Sequence, residues 1–481
     1  MKLRRTKATT LYETRLSRVW IARTAVCYLF AAIIWYILCV ITPYMDSVGI
    51  PASDAPNLTR AAFTATDAER EKPDSDKPKA AFLPTGEQSF YLRLDMIERA
   101  KSSIDFMVYD IYEDVGAQYF FTALFRAADR GVKIRIVTDG KLGTFKPPYI
   151  PLQNIIYNHN NIEAYGFNGI DFGRPQGLMT LLHDKVLCVD GDALIVGGAN
   201  MGHAAYLNNY DAEVLITDGG KSDVINDVRG YFDGMISDKL TSRRKRSKKV
   251  DEKAKTRYEH ELEEYLKTCA DRFGDARAVA QSVAVDRITH LTNPVTDGKK
   301  SPRIMQAMFE LAESSERTTI VTPYALITDK KINRLRAAAV KNKSFRLITN
   351  SLYNSRNVAY AVYMQGRKKY LSDSIELWEY QADDQLHAKI SVYDGRYTMI
   401  GSFNLDERSA HIDTESVLII DSQAFAAAAE RYIDEKIVAE SCRVGMDNKY
   451  IPSDVEPGKV PRDKQIKYFF YTALAAVINL I

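Results

Sequence analysis

The stretch LLHDKVLCVDGDALIVGGAN, residues 181–200, returns as QLHAKISVYDGRYTMIGSFN, residues 385–404. His183, Lys185, Asp190, Gly197 and Asn200 meet His387, Lys389, Asp394, Gly401 and Asn404, every pair 204 residues apart with no gap. Eleven residues beyond each asparagine stands an acid, Asp211 and Glu415, at the same offset. A repeat of this length constrains the fold, because each copy must be a supersecondary unit of the same kind. Upstream the copies match more loosely, SIDFMVYDIY with TTIVTPYALI and GVKIRIVTDG with SFRLITNSLY. Each half therefore predicts helix, buried strand, helix, buried strand and motif hairpin, an α/β unit with continuous apolar strands.

Alternate residues of a strand share a face, so His183 and Lys185 point one way while Asp184 and Val186 point the other. Two polar groups converge in each half. Asp190-Gly191 and Asp394-Gly395 are signals for a type I′ hairpin, so both aspartates read first as turn residues, beside the catalytic place the motif gives them. The returning strands end in Gly197-Gly198 and Gly401-Ser402, where small residues admit a ligand, and Asn200 and Asn404 add an amide. A single His-x-Lys-x4-Asp is a weak signal in a chain with seven histidines, whereas two copies in register are not. His159, His203, His260, His290 and His411 fall outside the register and read as surface, loop or packing residues.

Outside the repeat, residues 24–42 (TAVCYLFAAIIWYILCVIT) carry no charge, and nineteen helical residues reach about 28 Å, the thickness of a bilayer core. This predicts an N-terminal transmembrane helix. Lys2, Arg4, Arg5, Lys7, Arg15, Arg18 and Arg23 precede it, so the N-terminus is expected in the cytoplasm and the body outside it, on the periplasmic side of the inner membrane in a bacterium. The domain plan has a basic N-terminus and anchor at 1–45, a disordered tether at 46–85, half one at 86–220, a basic, largely helical connector at 221–300, half two at 301–445 and a tail at 446–481. Five prolines among Asp, Ser, Ala and Lys mark the tether, and Pro43 stands just before it. Tyr468 to Ile481 is apolar but short, and predicts a tail helix at the membrane interface. The run Arg243 to Lys249 offers a local anion patch for lipid headgroups or nucleic acid. Overall charge is only +3, with no global basic field, and five scattered cysteines give neither a disulfide framework nor a zinc site.

The duplicated His-x-Lys-x4-Asp, with HDKVLCVDGDALIVGGANMG in one half and LHAKISVYDGRYTMIGSFNLDERSAHIDTES behind LWEYQ in the other, resembles the phospholipase D superfamily, and within it the bacterial cardiolipin synthase branch. The resemblance covers about residues 86–220 and 300–425. It departs at Gly198, where serine is usual, and at Asp413, where asparagine often stands. It implies a pseudo-two-fold α/β fold, two mixed-sheet halves packed around one shared active site. It also implies a catalytic set of His183, Lys185, Asp190, His387, Lys389 and Asp394, with His183 as nucleophile forming a phosphohistidine and His387 as the acid. Lys185, Lys389, Asn200, Asn404 and Ser402 would hold the phosphate, and Asp211 and Glu415 would orient the imidazoles. The reading calls for no cofactor and no metal. The expected reaction is transfer of a phosphatidyl group, phosphatidylglycerol being the leading substrate and the bilayer the partner, with no nucleic acid. Hydrolysis of the same bond is the water-accepting version, and a membrane-tethered nuclease of the same superfamily is the alternative.

Overall fold

The computed structural model describes residues 20, 23–35, 58–171, 177, 180–207, 209–245, 249–273, 282–293, 301–355 and 359–478. Two sheets form the body. The first has the order Val283–Ala284, Lys79–Leu83, Glu213–Thr217, Ala193–Gly197, Val186–Val189, Ser103–Val108, Lys133–Asp139, Ile162–Phe167 and Thr241–Arg243. The second runs Arg287–Thr292, Ser416–Asp421, Tyr397–Gly401, Ile390–Tyr393, Arg317–Val321, Ser344–Asn350, Glu376–Tyr380 and Ser441–Arg443. Strand for strand the orders agree, apart from the extra edge strand Val283–Ala284. In each sheet three strands are parallel, and the motif hairpin joins them antiparallel.

Continuous apolar strands demand cover on both faces, and the outer faces receive it from helices. Gly86–Arg99 and Val115–Asp129 bury Leu94, Ile97, Phe120 and Leu124 on the first sheet, and Arg303–Glu313 and Asp329–Lys341 do the same on the second. The inner faces meet each other. Val186, Leu194, Val196 and Val214 share one core with Ile390, Ile400, Leu418 and Ile420. The helices Val224–Ser237 and Gln423–Tyr432 enter this core, and the strand Lys79–Leu83 of half one sets Phe82 edge-on to Tyr432 of half two, 5.2 Å between ring centroids.

Two parts of the domain plan change. The disordered reading of 46–85 fails from residue 58 onward. Phe63 is buried in the outer core of half two, Arg60 pairs with Asp394 at 2.8 Å, the Ala65 amide donates to Asp421 at 2.8 Å, and residues 79–83 are a sheet strand. Residues 46–57 lie outside the described residues. The connector is divided among the halves: Val224–Ser237 lies in the shared core, Thr241–Arg243 and Val283–Ala284 extend the first sheet, and Arg287–Thr292 starts the second. Glu252–Thr268 packs Ala254, Tyr258 and Leu262 onto half one. Within the basic run, Arg243 pairs with Glu163 at 3.3 Å and Arg244 donates to the Asp139 carbonyl at 3.1 Å, so part of it serves the fold.

Residues 23–35 are helical, with Tyr28, Leu29, Phe30 and Ile34 exposed. Among the described residues no helix is long and apolar enough to cross a membrane. The anchor expected at 24–42 therefore lacks a span here, its residues 36–42 and the basic residues before residue 20 lying outside the described set. The tail forms a helix over Arg462–Ile478, on which Ile466, Phe469 and Phe470 are exposed.

Helix Gly86–Arg99 is tied to the first sheet by a buried ion pair. Arg93 donates to both carboxylate oxygens of Glu213, one at 2.9 Å, and Ser89 joins them; the two side chains are 2% and 1% exposed. Removing one partner leaves the other charge buried and alone, which costs about 3–5 kcal/mol. Arg93→Ala is expected to lower unfolding free energy by about that amount, read as a fall in the urea midpoint.

Candidate active site

Each motif enters the site on a segment borrowed from the other half. Leu182 bridges Thr414 in parallel, and at the equivalent place Gln385–Leu386 pairs in parallel with Asn209–Tyr210. The His183 amide donates to the Thr414 carbonyl at 3.2 Å, and the His387 amide to the Tyr210 carbonyl at 2.8 Å. Glu415 and Asp211 follow directly on those segments, so each acid faces the histidine of the opposite half. His183 Nδ1 lies 2.9 Å from Glu415 Oε1, and His387 Nδ1 lies 2.7 Å from Asp211 Oδ2. Both carboxylates are fully buried. With Nδ1 donating to an acid, Nε2 of each ring is left to carry the lone pair or the second proton.

Both lysines fold back on their own motifs. Lys185 donates to the His183 carbonyl and stands 5.3 Å over the Tyr109 ring, while Lys389 donates to the His387 carbonyl at 2.6 Å and lies 3.0 Å from Nε2 of that ring. Burial drives the Lys185 pKa down to about 7 and that of Lys389 down to about 8. His183 sits well below the ordinary imidazole range through burial and the charge of Lys185, and His387 is lowered by burial and Lys389 against the pull of Asp211. Burial alone would push Asp211 up, yet Lys389 and His387 outweigh it and hold that carboxyl below its ordinary value. The four basic groups thus crowd a weakly screened space in which an anion would relieve their repulsion.

That space is a cavity of about 1020 Å³ lined by His183, His387, Asn200 and Asn404, with Tyr109, Asp110, Tyr112 and Arg408 among its other polar walls. The carboxamide oxygens of Asn200 and Asn404 are buried with no hydrogen-bond partner among the described residues. Seven of the residues expected at the site, the two histidines, two lysines, two asparagines and Asp211, therefore come together with Glu415 as the eighth.

Three do not. Asp190 sits at the hairpin tip with φ +54° and accepts the amides of Lys101, Ser102 and Ser103 at 2.7 to 3.1 Å. Asp394, with φ +55°, accepts those of Glu316 and Arg317 at 2.8 and 3.0 Å and pairs with Arg60. These aspartates pin the turn to the start of the neighbouring strand, and the catalytic role expected for them gives way to the turn role. Ser402, expected to hold the phosphate, is not among the residues that line the cavity. It is buried, donates to Glu415 Oε2 and accepts the Ser416 amide at 3.0 Å, steadying the acid behind His183. In half one the shorter Asp211 occupies that space, and a Cβ added at Gly198 would lie 2.6 Å from its Oδ1. Serine at 402 goes with glutamate at 415, glycine at 198 with aspartate at 211.

Sequence reasoning passed over the residues that set the histidine backbone. Asp139 accepts the Leu182 amide at 3.0 Å, and Asn350, its counterpart at the end of the matching strand, accepts the Leu386 amide at 3.0 Å. Asp413 accepts the Leu181 amide at 3.0 Å and pairs with Arg408 at 2.8 Å. The signal was available in the loose upstream repeat, where IVTDG and LITNS end their strands on a side-chain acceptor.

Two outcomes follow from this geometry. Asp190→Asn is expected to lower stability by about 1–3 kcal/mol through its lost amide contacts, with kcat within a few-fold of the parent, measured by thermal melting beside turnover of a phosphodiester. Asp211 raises the pKa of both His387 and Lys389, so Asp211→Asn lowers both. The alkaline limb of kcat/KM, which reports the free protein, is expected to move to lower pH by about one unit, and Asp211→Glu to move it less.

A family model described as cardiolipin synthase, PLD-like domain, matches residues 94–236 and 308–437, one segment in each half. Cardiolipin synthase C of Escherichia coli (strain K12) is 26% identical over 396 residues, covering 71% of this chain and 81% of that protein. An uncharacterized protein of Helicobacter pylori (strain ATCC 700392 / 26695) is 27% identical over 417 residues, 75% of this chain and 79% of that one. Among solved structures, phosphatidylserine synthase of Haemophilus influenzae Rd KW20 superposes with a TM-score of 0.60 at 14% identity, covering 86% of this chain and 99% of that one, a likeness of fold. With the family match spanning both copies of the motif, the chain belongs to the PLD-like domain family of cardiolipin synthase, within the phospholipase D superfamily.

Proposed function

We propose that the protein is a phospholipid phosphatidyltransferase of cardiolipin synthase type, acting on the phosphodiester of a glycerophospholipid, with phosphatidylglycerol as the leading donor and acceptor. The observation that carries this reading is the pair of imidazoles, each backed by a buried acid of the other half, opening on one cavity with a buried lysine held against each motif. A phosphodiester exchange needs a nucleophile, a proton donor for the leaving alkoxide and positive charge for the transition state, and these groups supply all three.

In the first step His183 Nε2 attacks phosphorus, the bond from phosphorus to the headgroup oxygen breaks, and His387 gives its proton to that oxygen. A phosphatidyl group is then held on His183. In the second step an alcohol oxygen attacks phosphorus, His387 takes its proton, and the phosphorus–nitrogen bond breaks. The lysines and the amides of Asn200 and Asn404 hold the non-bridging oxygens through both steps. Water in place of the alcohol gives phosphatidic acid.

Membrane attachment belongs to the same proposal. It is supported by the uncharged run 24–42, by the exposed apolar side chains of residues 23–35, and by Ile466, Phe469 and Phe470 on the tail helix. The body would then work at the bilayer surface on the extracytoplasmic side.

The test is mass spectrometry of lipids after the protein, reconstituted in phosphatidylglycerol vesicles, is incubated beside His387→Ala. Cardiolipin and glycerol appearing with the parent alone is the expected result. Phosphatidic acid without cardiolipin would make the protein a hydrolase, and unchanged lipid together with cleaved DNA or RNA would replace the proposal by the nuclease reading.

A further inference from the structure

The duplicated halves are unequal around the cavity. Ile111 bridges Met201 and Ala325 pairs with Leu405, and because Met201 and Leu405 stand 204 residues apart, Ile111 and Ala325 are equivalent, at an offset of 214. The helix starts agree, with Asp114 at the N-cap of Val115–Asp129 and Thr328 at the N-cap of Asp329–Lys341. In this register Tyr112, Glu113 and Gln118 of half one become Leu326, Ile327 and Ile332 of half two. Three polar side chains are replaced by three apolar ones, and Ile111 shrinks to Ala325.

The spaces beside these segments differ accordingly. In half one Phe145, Tyr149 and Leu152 fill it, and no water-sized sphere fits. In half two it is open and continuous with the cavity over the histidines, with Val362, Tyr363 and Tyr370 forming the far wall. Both tyrosine hydroxyls are engaged by the protein, Tyr370 donating to the Ala325 carbonyl at 2.7 Å and Tyr363 to Glu379 at 2.8 Å, so their rings serve as apolar wall. The cavity as a whole, about 1020 Å³, reaches the upper end of the roughly 300–1,000 Å³ of small-molecule sites and exceeds what a phosphate and a small alcohol would fill.

We propose that this lobe of half two seats an acyl chain of the lipid whose phosphodiester lies at the histidines, and thereby selects one of the two orientations that a duplicated site would otherwise accept. The proposal rests on the phosphatidyl-transfer reading. The buried walls, Ile327, Ile332, Val362 and the two tyrosine rings, favour an apolar occupant, while the polar lining residues Asp329, Gln365 and Lys369 are exposed to solvent. A chain covalently tied to the phosphorus is the apolar group that can enter from the catalytic end. Half one offers it no equivalent room.

The experiment measures equilibrium binding of dodecyl phosphate, below its micelle concentration, and of butyl phosphate to the full chain and to two variants. Ile332→Gln installs the half-one side-chain type, and Ile332→Phe fills the lobe with an apolar ring; thermal melting confirms that each folds. The parent is expected to bind dodecyl phosphate at least tenfold more tightly than either variant, while butyl phosphate binds all three within about twofold. Equal dodecyl affinity in the parent and both folded variants would overturn the proposal, as would a parent that binds the two phosphates alike. Turnover of phosphatidylglycerol is read separately, so a lobe that binds the long chain in a protein without transferase activity would count against the catalytic reading and leave the acyl site standing.

Discussion

The hydrogen bonds from His183 to Glu415 and from His387 to Asp211 cross between the halves, and the rest of the site depends on that crossing. Each imidazole is carried by one sheet and oriented by an acid riding on the other. The parallel bridges of Leu182 with Thr414 and of Leu386 with Tyr210 set the exchange before any side chain acts. Behind them lies the apolar core shared by the inner faces of both sheets, which fixes the distance between the two motifs. Packing supplies rigidity that loops could not, and a pair of rings must be held within a fraction of an ångström to act on one phosphorus atom.

Burial makes these groups reactive as well as placed. Two lysines, two imidazoles and two carboxylates are largely buried side by side, so their charges are weakly screened from one another. Glu415 and Asp211 raise both lysines against the pull of burial, and Lys389 and His387 hold the Asp211 carboxyl below its ordinary value. Such a cluster titrates as a unit. It is poised to accept two negative oxygens because its own positive groups are uncomfortable together, and the carboxamides of Asn200 and Asn404 stand beside them on the cavity wall.

The repeat made the α/β halves, the histidines, the lysines and the asparagines legible, since a shared offset reports shared position directly. It left the exchange of acids invisible, because Asp211 and Glu415 stand at the same offset whether each serves its own half or the other. Asp139 and Asn350 escaped notice for another reason, as did the backbone role of Asp413. They bind backbone amides, and a backbone amide has no sequence identity. Ser402 looked like a ligand because small residues beside a glycine admit ligands, whereas its hydroxyl completes the glutamate's hydrogen bonding. The segment 58–85 was hidden by composition: a few residues, Phe63 and the strand Lys79–Leu83, bind a polar, proline-bearing stretch to both halves.

The exchanged segments also bear on mass action. A chain with one copy of the motif could build this arrangement only by finding a second chain, and its active fraction would fall with dilution. Here the second copy is tethered, so the encounter is intramolecular, with an effective concentration of the order of millimolar or higher that does not change with the number of molecules present. Activity per molecule is thereby freed from abundance. The same covalent link lets the two copies diverge independently, which a pair of identical chains could not do, and the open lobe of half two beside the filled one of half one is such a divergence.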